Sequence, residues 1–326
     1  MIAVSERPWR RLAARLAAAG LIAALGARAW QACRYARPGR THLARGEEAA
    51  ARGQFAEAQR EWEAGAREDP AFPDCWERLG DLAQQVRDAS GAAADYQAAA
   101  RLRPDDGPLL LKLAEAQRAA GDERGALASA ARATRLLPDD AAAAWAYGDL
   151  ARRQSQWPQA LAALRRAHRL APTESRYARD LTGLEIDLRD LAGAERALAA
   201  DPHGGPGDPE WCYLMAVVCT LKPRTPASLK AATAYAARAA SGGRGLLRAS
   251  LLLGQLYLEA GRVRDALGVC VAVLRRSPDN AEALLQRVTC LTRLGRPRQA
   301  AAAAAHLRRV TLRRERFEHL QPPAPL

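Results

Sequence analysis

Small and apolar residues recur at helical spacing over most of the chain. Between residues 73 and 106 they form two groups separated by a short polar break: Trp76, Leu79 and Ala83, then Ala92, Tyr96 and Ala99. A spacing of three or four residues predicts two amphipathic helices, each with one apolar face. Pro104 ends the second helix. One such pair cannot bury both apolar faces alone, so the pattern predicts neighbouring pairs.

The same positions return at a constant step of 34 residues. Prolines that end the second helix are Pro70, Pro104, Pro138 and Pro172. A slot for small residues holds Ala58, Ala92, Ala126, Ala160 and Ala194. Four residues later, a slot for larger residues holds Trp62, Tyr96, Ala130, Leu164 and Leu198. A fixed period of this length predicts an array of helix pairs that bury their faces on each other.

The period, with its small, large and proline positions in this order, resembles the tetratricopeptide repeat family. The resemblance implies an all-α fold, a right-handed α-solenoid of about eight helix pairs. It also implies a concave groove that binds a protein or peptide partner, and no catalytic role.

The repeats divide the chain into segments. We expect five repeats over residues 39–202, a Gly/Pro hinge at 203–209, and about three further repeats with a terminal capping helix at 210–320. Residues 1–38 precede the array, and 321–326 form a tail. The predicted hinge contains proline and glycine at a density that excludes a helix.

The sixth repeat departs from the regular pattern. Ala231 and Tyr235 can fill its small and large slots, but the next small slot then falls on Arg238. The helical phase is therefore open by one residue. The segment from Lys222 to Pro226 lengthens the turn between the two helices, which accounts for four extra residues in the period.

The N-terminal segment permits three interpretations. An apolar run from Leu16 to Ala27 follows several arginines, and tryptophans stand at positions 9 and 30. Residues 9–30 are long enough for a membrane anchor with a tryptophan at each interface. The twelve-residue run also fits a cleaved export signal, and an alanine-rich capping helix is the third possibility. The protein is then membrane-anchored or exported in the first two cases and cytoplasmic in the third.

The net charge of +13 is unevenly placed. Residues 1–45 carry nine basic and one acidic side chain, whereas residues 46–174 carry 17 basic and 21 acidic ones. The array itself is therefore close to neutral and its ends are basic. This distribution disfavours nucleic acid as the partner.

No motif in the sequence indicates catalysis, a cofactor or a metal. The five histidines lack the spacing of zinc enzymes, and His203-Gly204-Gly205 lies between helix pairs without a nucleophile. The six cysteines form no C-x-x-C pair and are expected to be small buried residues. The carboxylate pairs Asp105-Asp106 and Asp139-Asp140, which follow repeat prolines, are expected to cap the next helix.

In the resembled family, fixed positions of each first helix line the groove. Carried onto this chain, the second repeat contributes Asp74, Glu77, Asp81, Gln84 and Gln85. The later repeats contribute the predicted partner-binding residues Leu111, Glu115, Arg118, Trp145, Asp149, Arg152, Arg153, Arg176 and Arg179. The lysine and asparagines by which some members hold a terminal carboxylate are replaced here, so that clamp is absent. A tryptophan among arginines is the alternative anchor.

These observations predict a non-enzymatic scaffold for protein–protein interaction, with a possible membrane tether in its first 38 residues. The alternative function is an accessory or assembly subunit of machinery for cell-envelope polymers or secretion. The partner's identity does not follow from the sequence.

Overall fold

The computed structural model describes residues 38–201, 203–241 and 247–320. This part of the chain contains sixteen α-helices and no strand. The helices form eight consecutive pairs, as the period predicts. The all-α solenoid of helix pairs is thereby confirmed.

The helices are short and of similar length, apart from the last. In order they are α1 Pro38–Ala51, α2 Phe55–Glu68, α3 Pro73–Gln85, α4 Ala89–Leu102, α5 Gly107–Ala119, α6 Glu123–Leu136, α7 Ala141–Arg153 and α8 Trp157–Leu170. The remaining eight are α9 Ser175–Asp187, α10 Leu191–Ala199, α11 Pro209–Leu221, α12 Pro226–Ser241, α13 Leu247–Glu259, α14 Val263–Arg276, α15 Ala281–Arg293 and α16 Pro297–Leu320. The last helix, α16, is the longest, with 24 residues, and its expected role as a terminal cap stays a prediction.

Within each regular repeat, one turn residue has a positive φ. Glycine occupies this position in four repeats: Gly53, Gly121, Gly261 and Gly295. Arg87, Ser155 and Arg189 occupy it in three others, at φ values of 63°, 58° and 62°. All seven turns reverse the chain through one left-handed residue, which costs non-glycine residues free energy.

Aspartates that follow the repeat prolines cap the next helix, as expected. Asp106 accepts a hydrogen bond from the Leu109 amide at 3.0 Å, and Asp140 accepts one from the Ala143 amide at 2.8 Å. Each carboxylate satisfies an amide that has no partner within its own helix.

Glycines on the first helix make room for the large residue of the second helix. A Cβ at Gly80 would lie 2.7 Å from the Tyr96 ring, and a Cβ at Gly46 would lie 2.2 Å from the indole of Trp62. Both aromatic side chains are buried. Tyr96 also packs on the next first helix through Leu110 and its neighbours. The residue in the large slot therefore packs against both its own repeat and the next one.

The structure settles the phase of the sixth repeat. Ala232, Ala236 and Ala239 are completely buried on α12, whereas Ala231 and Tyr235 are half-buried. The slots are thus shifted by one residue from the assignment that starts at Ala231. Arg238 is exposed, and no charged residue lies in the small slot.

Hydrogen bonds and ion pairs of side chains hold the segment after α10 against α9. Asp201 is buried, accepts a hydrogen bond from the Ser175 hydroxyl and pairs with Arg179 at 3.2 Å. Arg179 also pairs with Asp208, which caps α11 through the Glu210 amide at 2.8 Å. The hinge at 203–209 stays a prediction. Arg179 pairs with Asp201, which precedes this segment, and with Asp208, which lies within it.

The chain forms two compact units that divide between Leu150 and Ala151, inside α7. The first contains the helices up to the greater part of α7, and the second contains the helices from α8 onwards.

The N-terminal interpretations concern residues 1–38, of which only Pro38 is among the described residues. Within the described ranges, no helix is both long enough and apolar enough to cross a membrane.

Candidate protein interface

The first helices of the first three repeats are joined by a chain of ion pairs. Arg78 on α3 contacts Glu47 on α1 at 2.9 Å and Asp81 on its own helix at 3.3 Å. Lys112 on α5 contacts Asp81 and Glu77, both at 2.8 Å. The links run without a break from α1 through α3 to α5. They place these polar side chains on one surface.

A third cation, Arg103, joins the network from the loop between α4 and α5. Arg103 contacts Glu77 at 2.9 Å, Asp74 at 3.5 Å and Asp106 at 3.2 Å. Most of these groups are half-exposed, so each pair contributes little free energy on its own. Their shared partners instead fix the orientation of the side chains.

Tyr96 connects the buried core to this network. Its hydroxyl donates to Asp81 at 2.8 Å and lies 2.9 Å from the Gln84 side-chain oxygen. Burial, the bond to Asp81 and nearby carboxylates raise the pKa of Tyr96. Burial opposes the charge of Lys112, but its bonds to Asp81 and Glu77 outweigh that effect and raise its pKa. Both groups keep their protons at neutral pH.

The structure brings several predicted groove residues to this network. Leu111 is half-buried against the core that contains Tyr96, and Glu115 is exposed. Glu115 acts on Tyr96 electrostatically together with Glu77 and Asp81. Three acidic residues of the second and third repeats, Glu77, Asp81 and Glu115, are therefore close enough to act on the same tyrosine. Arg118 is half-buried near the end of the same helix.

The predicted residues of the fourth repeat all lie on α7. Trp145, Asp149 and Arg152 are half-buried, and Arg153 is exposed. The indole is therefore only partly covered, as a contact residue requires. Each of these four side chains has at least one polar or ring interaction.

The two residues predicted on α9 differ in environment. Arg176 is exposed and its guanidinium lies 5.6 Å from the Tyr177 ring centre. Arg179 holds Asp201 and Asp208, as described above. Its side chain therefore serves the local structure, whereas Arg176 faces solvent.

Sequence reasoning missed the three cations that organise the acidic side chains, Arg78, Lys112 and Arg103. For the last two a signal was present in the sequence. Lys112 follows Glu77 by one period plus one residue, which places it on the neighbouring helix beside that carboxylate. Arg103 directly precedes a repeat proline, at the entrance to the next first helix.

No group of three or more histidine, cysteine or acidic side chains in the described ranges could hold a metal ion. Burial raises the pKa of Cys75 to about 11 and that of Cys270 to about 12. These thiols are protonated at neutral pH and are poor nucleophiles. Cys212 and Cys290 are also buried and free, as expected, whereas Cys219 is free but only half-buried.

Solved structures of repeat proteins share this fold. A tetratricopeptide repeat protein from Parabacteroides merdae is 14% identical, with 84% of this chain and 93% of that chain aligned and a TM-score of 0.52. The pilF protein of Pseudomonas aeruginosa is 15% identical over 68% and 97% of the two chains, also with a TM-score of 0.52. A chain in the structure of the APC/C hetero-tetramer Cut9-Hcn1 is 14% identical, with 78% of this chain and 50% of that chain aligned and a TM-score of 0.54. These likenesses show the fold alone.

No curated protein matches the chain. Sequence models of the tetratricopeptide repeat match residues 43–107, 111–175 and 257–321. These three segments cover more than half of the 326 residues, and they lie in both compact units. Such repeats provide surfaces for binding other proteins. The chain belongs to the tetratricopeptide repeat family and is a protein-interaction scaffold.

Proposed function

We propose that the chain is a non-enzymatic scaffold that binds a protein partner on the faces of its first helices. The observation that carries the proposal is the continuous chain of ion pairs from Glu47 through Arg78 and Asp81 to Lys112. It makes one polar surface out of three successive repeats.

The network prepares this surface for binding. A side chain that is already held in place loses less conformational entropy when a partner docks. Carboxylates outnumber cations in and beside the network. Three cations, Arg78, Arg103 and Lys112, face six acidic residues, namely Glu47, Asp74, Glu77, Asp81, Asp106 and Glu115. The surface therefore favours hydrogen-bond donors and positive charge in the partner segment.

The predicted residues Leu111, Arg118, Trp145 and Asp149 extend the proposed interface along α5 and α7. Trp145 supplies the aromatic contact that commonly dominates the free energy of binding. We include Arg152, Arg153 and Arg176 in the proposal. We assign Arg179 to holding Asp201 and Asp208 and expect it to affect binding through stability.

A matched pair of charge reversals tests the proposal. Glu115→Lys changes an exposed residue of a first helix, and Glu57→Lys changes an exposed residue of a second helix. Partners captured by the full chain and identified by mass spectrometry should bind the Glu57→Lys variant as the parent chain does. They should bind the Glu115→Lys variant at least about tenfold more weakly, as expected for reversing a charge opposite a complementary one. Equal binding by both variants would contradict the proposal.

We further propose that residues 9–30 tether the scaffold to a membrane. The supporting observation is the apolar run after Arg15, with tryptophan at both ends of a span of membrane length. The full chain should sediment with membranes at high salt, because salt does not screen apolar burial. Leu21→Arg with Leu25→Arg should release it. A full chain that stays in the supernatant would refute the tether without affecting the proposed interface.

A further inference from the structure

The two ends of the described chain differ in net charge. Residues 38–150 carry 14 basic and 20 acidic side chains, whereas residues 247–313 carry 12 basic and four acidic ones. The first range contains the ion-pair network and belongs to one compact unit, and the second range belongs to the other unit. One chain therefore carries two regions of opposite net charge.

The last helix, α16, is only partly covered by its neighbours. It has 24 residues, whereas α15, with which it pairs, has 13. Ala300 and Ala303, near its start, are buried. Thr311, Leu312 and Arg313 are all exposed, although three successive residues span about 200° of the circumference of a helix. The described elements therefore leave most of the surface of α16 uncovered at these residues.

The uncovered part of α16 combines cations with one apolar side chain. Arg308 and Arg309 are exposed and form no ion pair within the described ranges. Arg313 pairs with Asp279 at 3.3 Å. Leu312 is 55% exposed, and because it follows Arg308 by four residues, the two side chains lie on one face of the helix. Arginine beside an apolar residue is a typical composition of protein contacts.

The first helix of the third repeat presents a complementary pair at the same spacing. Leu111 is half-buried on α5, and Glu115 is exposed four residues later. Glu115 forms no ion pair with any described side chain. Four residues advance both helices by about 6 Å. An antiparallel approach of α16 to α5 therefore brings Arg308 to Glu115 and, in the same register, Leu312 to Leu111.

The network beside Glu115 carries an excess of negative charge. With Glu115 it contains six carboxylates and three cations. Arg309 adjoins Arg308 on α16 and supplies a second unpaired cation to this surface. Charges that are complementary over several groups speed association and fix the register of a contact.

A second copy of the chain accounts for both surfaces at once. A nucleic acid would attract the arginines of α16, but the carboxylates around Glu115 would repel it. An unrelated basic protein would neutralise those carboxylates but would leave Leu312 and the arginines of α16 uncovered. Another molecule of this chain carries both complements.

We propose that α16 of one copy binds the acidic surface on α3 and α5 of a second copy. This inference rests on the proposed function, because it names a partner for the same surface. The two contact surfaces are different, so the second copy still presents its own α16 to a third one. Copies therefore associate head to tail, and any other partner of the acidic surface competes with them.

Co-capture of two differently tagged full chains, extracted in a mild non-ionic detergent, tests the proposal. We expect the parent copies to capture each other at about 0.05 M salt and at least about tenfold less at about 0.5 M, because salt screens exposed charges. Glu115→Lys in both copies, or Arg308→Glu in both copies, should reduce capture at least about tenfold. Glu57→Lys on α2 and Arg135→Glu on α6 change exposed charges of second helices and should leave capture unchanged. No capture between parent copies, or an equal loss in the controls, would overturn the proposal.

Exchange of the two charges provides a test that misfolding does not imitate. A copy with Glu115→Lys offers α5 to a copy with Arg308→Glu, and unlike charges then face each other again. This mixed pair should regain capture to within about threefold of the parent pair, as expected for two residues in direct contact. Failure of the mixed pair to regain capture would refute the contact between positions 115 and 308.

The binding of other proteins separates this inference from the proposed function. If other proteins bind through Glu115 while the copies do not capture each other, the inference fails and the proposed function stands. If neither self-capture nor the binding of other proteins depends on Glu115, both fail.

Discussion

The second and sixth repeats contain the same two-helix unit but differ in the side chains between the helices and in the length of the turn. In the second repeat, Gly80 faces the large Tyr96, and the turn passes through one left-handed residue at Arg87. In the sixth, the equivalent large slot holds Ala236, and the longer segment 222–225 joins the helices. No described residue of that longer turn has a positive φ.

Two pockets lie beside the second helix of the sixth repeat. Pockets of about 360 Å³ and 510 Å³ flank the beginning of α12 and share Pro226 and Leu229. The first is lined partly by the longer turn, including Arg224 and Thr225. The second is bounded by α12 and by the end of α13, including Tyr257. Both pockets lie beside the repeat whose turn is lengthened.

Removing the large residue of the second repeat should have the largest effect. Tyr96→Ala deletes a buried ring and leaves Asp81 without its hydroxyl donor. We expect a loss of about 3–5 kcal/mol in the free energy of opening of α3 and α4, measured by native-state hydrogen exchange. Tyr235→Ala in the sixth repeat removes a half-buried ring and should cost clearly less. Equal losses would mean that the two repeats are packed alike.

One substitution should have opposite effects in the two repeats. Ala92→Leu overpacks the completely buried small slot and should destabilise by about 1–3 kcal/mol. Ala237→Leu points a larger side chain towards the 510 Å³ pocket and should be neutral or stabilising by up to about 1 kcal/mol. Thermal melts compare the two variants directly. Destabilisation by both would show that the pocket has no room to fill.

The pH dependence of stability should differ between the repeats. Burial, with repulsion from Asp88 and Glu63, raises the pKa of Asp95 to about 6. The folded state therefore binds a proton on Asp95 more tightly than the unfolded state does. As the pH rises from about 4 to 6, the free energy of unfolding falls, because the buried carboxyl loses that proton. Asp95→Asn should remove that fall and stabilise the protein at pH 7, because asparagine carries no charge to bury. We expect a gain of only about 1 kcal/mol, since solvent screens part of the repulsion.

The sixth repeat supplies the control for this prediction. Counted from the large slots Tyr96 and Ala236, the position of Asp95 corresponds to the uncharged Tyr235. Hydrogen exchange of α12 should therefore lack this pH dependence between pH 4 and 6. A flat profile for α4 in the parent chain would refute the assignment to Asp95.

The turn of the second repeat should tolerate glycine at a small gain. Arg87 has a φ of 63°, which glycine adopts without steric cost. Arg87→Gly should stabilise the second repeat by about 0.5 kcal/mol, because relief of strain exceeds the added entropy of the unfolded chain. Arg87→Ala keeps the strain and should give no gain. Melting temperatures of the two variants decide the matter.

The regular repeats could be predicted from the sequence because local signals agree there. The period predicts that Ala92 and Tyr96 lie in the core, and both are buried. The position after a proline predicts a cap from each aspartate pair, and the second member, Asp106 or Asp140, makes it. The sixth repeat was ambiguous because alanine fills many positions of α12. Only tertiary packing separates the buried Ala232 from the half-buried Ala231.

The polar contacts were predicted less well, because they join residues a full period apart. The acidic groove positions Glu77 and Asp81 followed from the family pattern, but their neutralisation by Lys112 requires two repeats to be packed first. Arg179 was predicted as a contact residue, and its bond to the buried Asp201 depends on the course of the loop after α10. Sequence spacing along one helix does not reveal such contacts.

Site-specific photo-cross-linking tests the central claim, that partners dock on the first helices, most directly. A benzophenone side chain replaces the exposed Glu115 on α5 or, as a matched control, the exposed Arg101 on α4. Irradiation of the full chain in its native extract should yield a discrete adduct from position 115 and none from position 101. Adducts from position 101 alone, or equally from both, would contradict the account.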